Sequence, residues 1–128
     1  MHARCSYDYA VIRVVPRVER GEFVNVGVIL SCPTRDFLEA RIELDESRLR
    51  ALDPMLDLAA VRAHLAPIPL ICRGGAEGGP IGRLPPRERF HWLVAPRSTS
   101  VQVSAVHTGR CADLDAALDD LLQKMVRR

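Results

Sequence analysis

Aromatic side chains are scarce in this chain: they make up 5% of its 128 residues, and Trp92 is the single tryptophan. A sheet that reads single-stranded nucleic acid stacks several bases on several rings, so this scarcity argues against such a role. Lysine is nearly missing as well, since Lys124 is the one basic residue besides the arginines. A formal net charge of +2 is too small to mark a nucleic-acid binder by itself. No apolar run approaches the roughly 18 residues that cross a bilayer. Residues 1–8 (MHARCSYD) lack the apolar core of a secretory signal. The expectation is a soluble cytoplasmic protein with no membrane partner.

The four cysteines, Cys5, Cys32, Cys72 and Cys111, form no Cys-x-x-Cys pair. His107 and Cys111 have a zinc-like spacing, but a structural zinc takes four ligands, usually as two close pairs. Buried free thiols are therefore expected, with no metal and no cofactor. Catalytic signatures are missing too. Ser98 has no Gly-x-Ser-x-Gly elbow around it, and the glycines of 74–82 are not followed by the Lys-Ser/Thr pair of a Walker A loop.

What is present has ordinary globular proportions, 48% apolar and 27% charged, in a length that suits one domain over residues 1–128. Residues 7–15 alternate and are rich in β-branched side chains, predicting a strand that Pro16 ends. Residues 23–30 predict a second, with Val24, Val26, Val28 and Leu30 on one face and Asn25 and Gly27 on the other. In the third, Leu38, Ala40, Ile42 and Leu44 alternate with Glu39, Arg41 and Glu43, which indicates one buried and one wet face. Asp45 caps a short helix, Asp53-Pro54 reads as the start of the next, and Pro67 and Pro69 stop or kink it. Glycine-rich residues 73–83 predict a flexible loop, and Pro85-Pro86 start a helix over 87–93. Residues 100–107 predict a fourth strand. A closing amphipathic helix carries Leu114, Ala117, Leu118, Leu121, Leu122 and Met125 on one face. The fold class is α+β: an antiparallel sheet of about four strands (a β-meander, helices, a fourth strand and a C-terminal helix), with helices mainly on one face. The expected strand order is 3-2-1-4.

Two blocks carry a family likeness. One runs from Tyr7 to Pro16 (YDYAVIRVVP) and resumes at Gly21 (GEFVNVGVI); the other comprises RFHWL from Arg89, APRST from Ala95 and VHTG from Val106. In this order they resemble the bacterial domain-of-unknown-function family numbered 3037, over nearly the whole chain. The resemblance implies a small standalone cytoplasmic protein with no established activity and no catalytic residues to carry over. Members are often encoded beside HipA-like kinases, which implies such a kinase as a candidate protein partner. Pro67 and Pro69 depart from the smoother middle helix of the family.

Polar chemistry concentrates in the second block. Arg97, Ser98 and Thr99, a guanidinium beside two hydroxyls after a proline turn, suit a phosphate or carboxylate cradle; the same hydroxyls also suit turn amides. Between residues 83 and 97, Arg83, Arg87, Arg89 and Arg97 face Glu88 alone, so Arg87, Arg89 and Arg97 are expected to form a basic patch. His107 and Thr108 could supply an acid/base or an anion contact, or merely end a strand. If residues 98–107 are fully extended, the two groups stand about 30 Å apart, and only a bend or bulge near 102–104 would bring them together. The expected function is non-catalytic binding or regulation, docking a protein partner or an anionic group through the arginine patch. The alternative is an enzyme acting on a nucleotide or phosphoester, with His107 as acid/base and Arg97 as clamp.

Overall fold

A computed structural model describes residues 3–97 and 99–127. The chain opens as a meander: β1 (Cys5–Val14), β2 (Val24–Cys32) and β3 (Phe37–Ile42), joined by short turns at Val18–Arg20 and Pro33–Arg35. Five short helices follow, α1 (Glu46–Leu52), α2 (Leu58–Leu65), α3 (Pro67–Arg73), α4 (Gly79–Gly82) and α5 (Pro86–Leu93). Two further strands, β4 (Val101–Val103) and β5 (His107–Cys111), lead to α6 (Leu114–Leu122), which continues as a wider turn over Gln123–Arg127.

The sheet has five strands in the order β3-β2-β1-β4, with β5 also paired to β1, and every pairing is antiparallel. The expected order 3-2-1-4 is therefore what the chain adopts. The single fourth strand expected over 100–107 is instead two pieces on one edge of β1. Ile12 opposes Val103 and Tyr9 opposes His107, so β1 advances three residues while its partner advances four. The extra residue interrupts the ladder. Ser104 spans the gap: its amide donates to the Val11 carbonyl at 2.9 Å, and its hydroxyl oxygen accepts from the Val11 amide at 2.8 Å.

A second irregularity overturns the expected facing of β2. Ile12 pairs with Gly27 but Arg13 pairs with Asn25, leaving Val26 as an inserted residue. Such a bulge reverses the alternation beyond it. Val24, Val26 and Ile29 therefore enter one core, whereas Val28, Leu30 and Cys32 enter the other. Asn25 lies on the α6 side, where its amide donates to the Met125 carbonyl at 3.1 Å. Gly27 is on the opposite side, where an added Cβ would stand 3.2 Å from Ile12 Cδ1 and 3.0 Å from Ile42 Cγ1.

Most helices do cover one face. Leu49 of α1, Leu58, Val61 and Leu65 of α2, Ile71 and Cys72 of α3, and Phe90 and Leu93 of α5 build that core with β1 and β2. Helix α6 covers the other through Leu114, Leu118, Leu121 and Leu122. The expected wet face of β3 is thus partly roofed: Arg41 pairs with Asp115 at 3.2 Å and with Asp119 at 3.8 Å on α6. Asp45 caps α1 and Asp113 caps α6, each accepting from the amide three residues on. Asp53 does not start a helix. Its carboxylate takes the Met55 amide in a turn, and Asp57 caps α2 instead. Pro67 separates α2 from α3 by standing at the first position of the latter. The glycine-rich segment is no open loop: it forms a turn at Ala76–Gly78 and the short α4, closed by a 2.7 Å bond from the Gly75 amide to the Gly82 carbonyl.

Candidate binding site

Between β1, β2 and β4 on one side and α2, α3 and α5 on the other lies a cavity of about 250 Å³. Its walls are Ile12, Ile29, Ile68, Ile71, Val101 and Val103, an apolar lining that follows from β-branched strands facing helix stripes. Four polar or amphipathic groups complete it: His64, Trp92, Arg97 and Thr99. Trp92 is 41% exposed and opens the cavity onto solvent, whereas Phe90, two residues earlier, is buried.

Arg97 owes its place to the end of α5. The last carbonyls of a helix have no intrahelical donors and carry partial negative charge. The turn at Pro96 brings the Arg97 guanidinium back onto them, where it donates to the carbonyls of Trp92 at 2.8 Å, Leu93 at 3.1 Å and Ala95 at 3.3 Å. The same guanidinium lies 4.4 Å from the centre of the Trp92 ring. A cation over an indole face is attracted by the ring quadrupole, which fixes both groups. The result is a positive charge held beside an apolar cavity.

The other expected site residues do not form one patch. Arg89 is buried, at 8% exposure, and donates to the carbonyls of Leu84 at 2.9 Å, Ile71 at 2.8 Å and Cys72 at 2.7 Å. It ties α5 to the end of α3 and presents nothing to a partner, so its place in an exposed arginine patch is corrected. Beside it, burial pushes the Cys72 thiol up to about 12, with Arg89 pulling slightly the other way. Arg87 is exposed on α5. Thr99 serves its own turn: its hydroxyl donates to the Val101 carbonyl, and its carbonyl accepts from Gln102. Ser98 lies outside the described residues.

His107 and Thr108 are exposed on β5, opposite Tyr9 and Asp8. The His107 ring stacks against Tyr9 at 5.4 Å, and Tyr9 packs on the core that α6 covers. Arg97 lines the cavity on the other face of the sheet. The irregularity after β4 therefore does not join the two polar blocks; the sheet itself stands between them. His64 and Ile68 were not foreseen, because in sequence they are unremarkable members of a helical stretch, and only the packing of α2 and α3 against β4 brings them to the cavity.

With this geometry in view, the sequence profile of the family described as "Protein of unknown function (DUF3037)" matches residues 9–126. The chain belongs to this family. The matched span contains all five helices before α6, the cavity and both sheet irregularities. No curated protein and no solved structure matches the chain. Among the described residues, no helix is long and apolar enough to cross a membrane.

Proposed function

We propose that this protein is a non-catalytic binding or regulatory protein whose cavity takes a small ligand with an apolar body and an anionic head, such as an aromatic or branched aliphatic carboxylate. The observation that carries this reading is the Arg97 guanidinium fixed over Trp92 beside a mostly apolar cavity. Ligand sites commonly join apolar walls to a few placed polar groups. A guanidinium has five N–H donors, and three carbonyls on Arg97 leave donors for a carboxylate or phosphate. The volume lies below the roughly 300 Å³ at which drug-sized pockets begin, which favours a small occupant over a nucleotide.

Because Trp92 is the single tryptophan, its fluorescence reports the site directly. Titration with indole, phenyl and branched-chain carboxylates should change Trp92 emission saturably, and the matching neutral amides should bind more weakly. Arg97→Met should weaken the best carboxylate about tenfold, the equivalent of about 1.4 kcal/mol. An emission that none of these compounds alters, or an affinity unchanged in Arg97→Met, would overturn the reading. Chemical turnover of a bound compound would replace it with an enzymatic one.

A further inference from the structure

Three of the four cysteines, far apart in sequence, meet at one end of the sheet. Cys5 opens β1, Cys111 ends β5 and Cys32 ends β2, and all three pack into the core beneath α6. Cys5 and Cys111 are directly opposed in the antiparallel register. Opposed residues of this kind have Cα atoms about 4.5 or 5.5 Å apart, and both spacings fall within the roughly 4.4–6.8 Å that a disulfide spans. Both thiols are partly exposed, while Cys32 is fully buried.

The surroundings hold this end together. Arg35 donates to the carbonyl of Ala3, just before β1, and at 2.6 Å to that of Ala112, just after β5. Those two bonds fix the strand ends on which Cys5 and Cys111 sit. The Cys32 sulfur lies 3.4 Å from the Thr34 hydroxyl. Burial alone would raise the Cys32 thiol, but hydrogen bonds from Thr34, Cys5 and the Arg35 backbone outweigh it and bring it below the ordinary thiol range. Cys5 is raised, by burial first and then by its hydrogen bond to Cys32. Cys5 therefore ionises less readily than an ordinary thiol, so its attack on an oxidant draws on a small thiolate fraction that grows with pH. Among the described residues, no group of three or more His, Cys, Asp or Glu is disposed to hold a metal ion, so these thiols are not arranged as a metal site.

We propose that Cys5 and Cys111 are a site of reversible thiol oxidation, in which a hydroperoxide converts the pair to a cross-strand disulfide. The Cys5 thiolate attacks one peroxide oxygen, the O–O bond breaks, and Cys5 becomes a sulfenic acid as the other oxygen leaves and is protonated to water. The Cys111 sulfur then attacks Cys5, the S–O bond breaks, and a second water leaves with the Cys111 proton. In total, two thiols and hydrogen peroxide give one disulfide and two waters. A dithiol reductant reverses the bond by exchange.

The full chain, reduced and then exposed to hydrogen peroxide, tests this without any substitution. Intact mass should fall by two hydrogens, two fewer thiols should alkylate after unfolding, and peptide mapping should recover Cys5 joined to Cys111. Dithiothreitol should restore the starting mass. The oxidised protein should also melt several degrees higher, since the link closes a long loop. In Cys32→Ser the same Cys5–Cys111 peptide should form, and in Cys111→Ser it should not. A bond through Cys32 or Cys72, or a mass gain from sulfinic acid in place of a link, would overturn the proposal. So would four thiols that remain reactive after treatment.

Discussion

Arg89 and Arg97, eight residues apart in one basic stretch, do opposite jobs. Arg89 carries a buried charge with carbonyl partners only, two of which belong to the last turn of α3, whose dipole favours a cation. Arg89→Met keeps the stem but leaves three carbonyls without that donor, and unfolding in urea should show a loss of about 3 kcal/mol. Arg97→Met removes contacts at a partly exposed helix end and should cost under about 1 kcal/mol in the same assay. Equal losses would contradict the assignment of one arginine to structure and the other to the cavity. The sequence shows both as arginines among polar neighbours; burial, which separates them, comes from how α3 and α5 meet. Two glycines allow a similar contrast. A Cβ at Gly27 would sit 2.6 Å from the Arg41 carbonyl oxygen, which is backbone and cannot yield without moving β3, whereas one at Gly109 would meet the far end of the Tyr7 ring, which can swing. Gly27→Ala should therefore destabilise by about 2 kcal/mol or more and Gly109→Ala by less, measured as thermal midpoints.

Among the elements, the periodic ones were legible and the irregular ones were not. The alternation of β3 and the leucine stripe of α6 place the right residues inward, because local period and tertiary burial agree there. In β2 the run of Val24, Val26, Val28 and Leu30 alternates faithfully, yet the inserted Val26 splits it between two cores. A run that is apolar on both faces carries no mark of where a bulge falls. The same holds for the edge strand, where Ser104 takes over a ladder bond that no spacing announces. The N-caps were more readable, since Asp45 stands one turn before Leu49, but Asp53 and Asp57 competed for one helix and the nearer won. Asp113→Ala at the start of α6 should lower stability by about 1 kcal/mol, and Asp113→Asn should recover most of it, as judged by urea midpoints.

Over the whole molecule, the chain's tail is fastened to its middle by charge. Arg127, after α6, donates to Glu43, after β3, at 2.8 Å. That hydrogen bond holds the Glu43 carboxyl below the ordinary carboxylate range. A carboxyl depressed in the folded state stabilises above its unfolded value of about 4.3 and loses that contribution as pH falls through the lower folded value. Wild type should therefore melt slightly higher than Glu43→Gln at neutral pH, and the gap should close in acid and in high salt. A gap that widens in acid would reverse the sign of this tie. The candidate site was half legible at this scale: Arg97 and Thr99 were visible as chemistry, but that His107 stands across the sheet from them follows only from the strand register. The sheet that separates those groups also separates the two cores, whose apolar clusters share no residue. Side chains in one cluster therefore have no apolar partner in common with those in the other. Truncating Leu65 in one and Leu118 in the other should give losses that simply add, whereas pairing Leu118 with Leu122 should not. On that account one half of this protein can be repacked, by drift or by design, while the other keeps its shape and its cavity.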